Sequence, residues 1–410
     1  MFQNGEAMQI LTVVSIFVGL FLMACLAFAE VPEEIDFGLV KADNDFGFVL
    51  FTGLAEMSQH ENVFISPLSI AMALQMCYNG AEGETKTQMA STMMFAGMPT
   101  DVLNIGNKQL IAHLTQSEKV RMEIANSIWS RRGMPFNERF ISTLTEFYGA
   151  SANERSFDDP ATLKEINGWV AEKTHGKIEE IIRELDPLSI LVLINAVYFK
   201  GAWFEQFSPN ITREDDFRLH NGDIQKVMMM FKSDNYSYLE TEEFQAVRLR
   251  YEDPRFEMVI FLPAEDNELD DFIKNKDSAW WASTASQFQW RDGRLSLPRF
   301  KVEYELTLND ALMAMGMKDA FKESSADFSA MTPLKPAWIS KVIHKTYIEV
   351  DEEGTEAAAV TAIEMVGETM APDMDRPEPF TMRVDRPFFC AITERGSGAL
   401  LFMGAIFKPN

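Results

Sequence analysis

Two hydrophobic periods run through this chain, one suited to helices and the other to strands. Apolar residues recur from Pro67 to Tyr78. Ser66 ahead of them is a good helix start, because its hydroxyl accepts a backbone N–H and Pro67 at the first helical position sacrifices no intrahelical bond. Gly80 stands where a left-handed cap ends a helix, so a largely buried helix is predicted over 67–79. Between Ala161 and Leu185 a staggered stripe of Ile166, Trp169, Val170, Ile178, Ile181 and Ile182 predicts a second helix, broken near Gly176. A third is predicted over 308–315, stopping at Gly316.

The strand signals differ in kind. Ile190 to Phe199 is nearly continuous apolar sequence, as expected of a central strand covered on both faces. Phe256 to Leu262 and Arg294 to Val302 also read as strands. Lys341 to Val350 alternates Val342, His344, Thr346, Ile348 and Val350 against Ile343, Tyr347 and Glu349. Near the C-terminus, Phe388 to Ile392 and Ala399 to Phe407 flank a Gly-rich hairpin turn, Thr393 to Gly398. The class is α+β, and with no internal repeat and no Pro-rich or Ser-rich linker the chain reads as a single domain.

Directly after Val350 comes the most informative stretch, Glu352 to Val366, reading EEGTEAAAVTAIEMV. As a strand it places Thr355, Ala357, Ala359, Thr361, Ile363 and Met365 on one uncharged face, with Glu356 and Glu364 on the other. Its residues are mostly small enough to slide between two existing strands, yet too Ala-rich to be strand by preference. An exposed alanine-rich helix accounts for the same composition by propensity.

Composition narrows the class further. Hydrophobic residues make up 47% of 410, enough for a large core, and the formal charge of −25 argues against nucleic acid as a partner. Ile10 to Ala29 is an almost unbroken apolar run ending in Ala27-Phe28-Ala29, which suits signal peptidase and predicts a signal peptide over residues 1–29. The same run is long enough for an uncleaved anchor, and Leu22-Met23-Ala24-Cys25 is a loose lipoprotein box. Cleavage after Ala29 predicts a secreted, extracellular chain with no membrane attachment, keeping only Cys77 and Cys390, both in apolar stretches that suit buried free thiols. Asn210-Ile211-Thr212 and Asn235-Tyr236-Ser237 are acceptor sequons for N-glycosylation at Asn210 and Asn235.

A catalytic centre finds no residues to stand on. The histidines at 60, 113, 175, 220 and 344 are scattered, with no pair at metal-ligand spacing and no CxxC, so neither a metal nor a cofactor is expected. Gly396-Ser397-Gly398 is not a nucleophile elbow, and Gly80 to Thr87 lacks the glycine a phosphate loop places before its lysine. The chain is not expected to be an enzyme.

Glu352-Glu353-Gly354-Thr355-Glu356-Ala357-Ala358-Ala359-Val360-Thr361 resembles the proximal hinge of an inhibitory serpin nearly residue for residue. Other serpin-like motifs fall in order: Asn62 to Ile70 (NVFISPLSI), Gly80 to Thr85, Leu193 to Trp203, Leu297-Pro298-Arg299-Phe300, Asp327-Phe328-Ser329, His344-Lys345, Arg386-Pro387-Phe388 and Phe402-Met403-Gly404. The resemblance covers about residues 38 to 410. It implies three β-sheets, about nine helices and an exposed reactive-centre loop over roughly 352–380. A serine or cysteine protease would attack that loop, form an acyl-enzyme, and be trapped covalently when the cleaved loop inserts into the main sheet. The alternative within the family is a non-inhibitory carrier, storage or folding protein. The hinge favours inhibition, because no proline or inward charge interrupts it.

The resemblance also implies site roles. Ser66, Ser69, Asn195 and His344 match the polar cluster where serpin sheets part, and Trp203 the aromatic at the point of first insertion. Counting along the loop places the scissile bond at Glu368-Thr369, with Met370-Ala371 and Val366-Gly367 as alternatives. The segment Ala371 to Pro379 makes this loop several residues longer than the usual pattern. A heparin-like activator is not expected, since Met89 to Ser117 carries only Lys108 as a base. The expected partner is the target protease alone, met by a monomer.

Overall fold

The computed structural model describes residues 35–355 and 378–409. Nine α-helices occur among the described residues: α1 (Phe37–Met57), α2 (Pro67–Tyr78), α3 (Gly83–Thr92), α4 (Thr100–Thr115), α5 (Glu138–Thr143), α6 (Pro160–Lys173), α7 (Leu269–Lys274), α8 (Ser278–Ala285) and α9 (Asn309–Ala314). The early strands are β1 (Val63–Ile65), β2 (Val120–Arg131), β3 (Ser151–Arg155), β4 (Leu191–Ala202), β5 (Arg213–Arg218), β6 (Ile224–Glu240), β7 (Phe244–Arg250) and β8 (Phe256–Pro263). The later ones are β9 (Gln289–Pro298), β10 (Phe300–Thr307), β11 (Ile339–Val350), β12 (Gly354–Thr355), β13 (Phe380–Arg383), β14 (Phe388–Glu394) and β15 (Leu400–Ile406).

Hydrogen bonding collects these strands into two ladders, a six-stranded sheet in the order β10-β11-β12-β4-β2-β3 and a nine-stranded sheet running from β1 to β13. The second is continuous because β6, 17 residues long, pairs with β5 near its start and with β7 near its end. The two sheets that a three-sheet description would separate thus share one strand. Every residue of α2 is buried, and the helix packs against both β15 and β4, so it forms the core between the sheets. Its start is as the sequence predicts: the Ser66 hydroxyl accepts the Ser69 N–H and Pro67 opens the first turn.

Two predicted elements differ from those observed. The second helix breaks where predicted, ending at Lys173 as His175 (φ 52°) and Gly176 (φ 78°) turn left-handed, but it does not resume after them. The rest of the stripe is still used: the Asn167 side chain accepts the N–H groups of Ile181 and Ile182 at 2.9 and 3.1 Å, holding an irregular segment against the α6 cluster. The strand expected over 294–302 is two strands, broken at Arg299, with β9 in one sheet and β10 in the other. Cys77 and Cys390 are buried free thiols, and burial pushes both up.

Candidate functional site

The middle of the six-stranded sheet is closed at one end and split at the other. β11 and β4 run parallel and pair from Ile339↔Leu191 to Thr346↔Val197. Beyond that point β12 wedges between them, antiparallel to both, with Thr355 opposite Val350 on β11 and Gly201 on β4. The predicted insertion segment therefore begins already seated by two residues, Gly354 and Thr355. Glu356 to Val360, the rest of the hinge, lie outside the described residues, as do the scissile-bond candidates Glu368, Thr369, Met370 and Ala371.

A tight turn feeds the wedge. The Asp351 carboxylate accepts the backbone N–H groups of Glu353 and Gly354 at 2.9 and 3.1 Å, a local motif that reverses the chain. Burial outweighs those two donors and pushes the Asp351 carboxyl up. Glycine is required at 354, since a Cβ there would lie 2.2 Å from the Gly201 carbonyl oxygen, backbone that has no room to yield. Trp203 forms the floor: it stacks on Tyr251 at 4.7 Å, its indole N–H donates to the Asp351 carbonyl at 3.0 Å, and its backbone N–H donates to the Glu353 carbonyl at 2.8 Å. Thr355 is buried, its hydroxyl 2.8 Å from the Tyr251 hydroxyl. Glu352 accepts from Arg299 at 2.7 and 2.9 Å and from Thr212. Burial works against that carboxylate, but these donors hold it below its usual range.

Deeper along the same pair of strands lies a latch. His344 on β11 is opposite Asn195 on β4, which is opposite Asn126 on β2, so three side chains cross the sheet on one face. His344 Nε2 accepts the Ser66 N–H at 3.2 Å, and Nδ1–H donates to the side-chain Oδ1 of Asn195. The Asn195 amide donates to the Ser69 carbonyl at 3.0 Å, to the Ser69 hydroxyl and to Asn126. Thr346, two positions further along β11, donates to the Phe64 carbonyl. Burial pushes the His344 imidazole down to about 3, so it is neutral and its tautomer is set by these two partners. With both nitrogens engaged, it is not a general base for either serine; the cluster fastens β4 and β11 to the start of α2.

The structure thus brings Ser66, Ser69, Asn195 and His344 together and places Trp203 apart from them, at the mouth of the split. Sequence reasoning missed Asn126, Thr346, Tyr251, Thr212 and the Arg299–Glu352 pair. Arg299 stood in a quoted motif, but its carboxylate partner 53 positions away is visible only in the fold. Asn210 is exposed in a short 3-10 turn; Asn235, also exposed, donates to Asp292 at 2.8 Å from within β6.

An α+β fold built round a sheet with a partly inserted strand defines the class. The chain matches the family model described as Serpin (serine protease inhibitor) over residues 41–409. It is 36% identical to an uncharacterized serpin-like protein of Thermococcus kodakarensis, over 91% of this chain and 86% of that one. The human leukocyte elastase inhibitor is 32% identical, over 90% and 99%. The native-state crystal structure of tengpin, a thermophilic serpin, superposes with a TM-score of 0.85 at 32% identity, covering 92% of this chain and 95% of that one. The chain belongs to the serpin family, whose members are for the most part protease inhibitors and not enzymes.

Proposed function

We propose that this chain is a secreted suicide inhibitor of serine proteases, acting by insertion of its cleaved loop between β4 and β11. The observation that carries the proposal is the register of β12. Were insertion to continue in this register, each residue beyond Thr355 would step back one position along both neighbours, and Ala357, Ala359, Thr361 and Ile363 would follow Thr355 on its face, opposite Phe199, Val197, Asn195 and Leu193 of β4. Thr361 would then arrive between Asn195 and His344, the pair that latches the sheet. Glu356 and Glu364 would fall on the other face, Glu364 between Lys341 of β11 and the buried Val192 of β4. A hinge that begins in that register and offers it an uncharged face is what supports inhibition over a carrier role, which needs no insertion.

The driving force is limited. Net hydrogen bonding of about 1 kcal/mol per bond is roughly offset by the 1–2 kcal/mol per residue spent in ordering a free loop. Burial of Ile363, Met365 and Val366 must supply part of the surplus. Glu368-Thr369 is the scissile bond by loop count, which suits a protease with a basic primary pocket; Met370-Ala371 would suit a chymotrypsin-like or elastase-like one. The apolar run before Glu30 would direct export. Limited cleavage by a protease of each type tests the mechanism through thermal unfolding of the nicked protein. A large rise in Tm is the expected result, and an unchanged Tm would leave the carrier reading standing.

A further inference from the structure

Histidines that are far apart in sequence meet at one surface. His60, in the loop after α1, and His220, in the turn between β5 and β6, stack face to face with ring centroids 3.4 Å apart and planes inclined by 18°. Asp270 at the start of α7 puts one carboxylate oxygen 2.7 Å from His60 Nδ1. Sequence spacing gave no hint of this group, because its members come from three separate segments.

We propose that His60, His220 and Asp270 form a binding site for a divalent first-row transition ion, with Zn²⁺ the ion their chemistry suits best. Two imidazole nitrogens and a carboxylate oxygen are a Zn²⁺ donor set. One ligand atom from each lies within 4.8 Å of the others. Ligands on a bound Zn²⁺ at about 2.0–2.2 Å are separated by about 3–3.5 Å, a convergence that rotation of part-exposed side chains supplies.

The polar atoms here are incompletely used without an ion. The second Asp270 oxygen, Oδ1, is shielded from solvent and has no hydrogen-bond partner. His220 Nδ1 is likewise shielded; Glu268 Oε2 lies 3.2 Å away but outside hydrogen-bond alignment. Buried polar atoms are nearly always satisfied, so two orphans in one small cluster call for a missing partner. A cation meets both needs, accepting the nitrogen lone pair and neutralising the carboxylates. The nearby Lys408 does not serve, being committed to Glu61 at 2.6 Å. Gln59 and His60 both adopt left-handed backbone (φ 53° and 65°), a conformation non-glycine residues rarely take. Both rings also meet Phe407, so a bound ion would tie three segments together beside the C-terminal strand.

The test is titration of the full-length chain, made without a histidine tag, with ZnCl₂ by isothermal calorimetry and by thermal unfolding. One equivalent of Zn²⁺ bound at micromolar or tighter affinity, with a Tm rise reversed by EDTA, is expected. His60→Gln and His220→Ala should each weaken binding at least tenfold while leaving the metal-free Tm close to that of the parent. X-ray absorption of the Zn²⁺-loaded parent protein, which needs no variant to fold, should show imidazole scattering from two ligands. No uptake at micromolar Zn²⁺, undiminished binding in both variants, or a spectrum without imidazole would each overturn the site.

Discussion

Replacing Thr355 with arginine attacks the wedge where it is deepest. The Thr355 side chain is 1% exposed and its hydroxyl is paired with Tyr251. Removing that hydroxyl strands a buried phenol, at about 1–3 kcal/mol. Burying a guanidinium in a space shaped for threonine, against the neutral Tyr251 hydroxyl, adds several kcal/mol more, and Glu352, three residues back, is already taken by Arg299. Seating β12 therefore becomes unfavourable by on the order of 5 kcal/mol, more than a thousandfold at 1.4 kcal/mol per decade. Inhibition needs insertion to outrun deacylation, so Thr355→Arg should be cleaved as a substrate and release active protease. Thr355→Val keeps the shape and loses only the hydroxyl, and should fall between the two. The assay is a denaturing gel of inhibitor and protease mixed at several ratios, reading covalent complex against cleaved chain. If Thr355→Arg trapped as much protease per mole as the parent, insertion at β12 would not be the mechanism.

Three further expectations concern the buried polar groups. Asp43 on α1 accepts from Gln75 at 2.7 Å while Asp43 Oδ2 and Gln75 Oε1 have no partner, an arrangement one proton on the carboxyl would satisfy; burial, opposed by the Gln75 bond, raises that carboxyl to about 8. The folded state then holds a proton the unfolded chain releases near pH 4, so its contribution is full below pH 4 and is lost as pH rises to about 8. Asp43→Asn keeps an amide pair that does not titrate, and urea unfolding between pH 5 and 9 should show a flatter profile; parallel curves would contradict this. His344 has the opposite sign: lowered to about 3, it contributes stability above the ordinary histidine range that is lost as pH falls toward 3. His344→Gln should remove that acid-side slope, again read by urea unfolding. Arg299→Ala should cost about 1–3 kcal/mol, discounted because the guanidinium is 43% exposed. Thermal unfolding should show a clearly larger loss than for Lys301→Ala, whose partner Glu303 is also exposed.

Local rules carried much of the fold and failed at identifiable places. The cap at Ser66-Pro67, the apolar run of β4 and the alternation of β11 are local patterns, and each is an element in the structure close to its predicted bounds. The stripe from Ile178 to Ile182 kept helical spacing while the backbone did not, because the Asn167 side chain supplies the hydrogen bonds a helix would have made. Arg294 to Val302 read as one strand since nothing in its pattern reveals that the two halves serve different sheets. At the site, Ser66, Ser69, Asn195 and His344 were legible through resemblance, whereas Asn126 and Tyr251 were not. Their partners lie 69 and 104 positions away, and an Asn or Tyr on a strand carries no local sign of them.

Incubation of the purified chain with a panel of a glutamate-specific protease, chymotrypsin, elastase and trypsin, followed by denaturing gels and mass spectrometry, tests the central claim most directly. A covalent complex stable to denaturant, with release of a C-terminal peptide beginning at Thr369 or Ala371, is the predicted result. Cleavage within the loop by every enzyme, with no complex and no gain in the thermal stability of the cleaved chain, would contradict it.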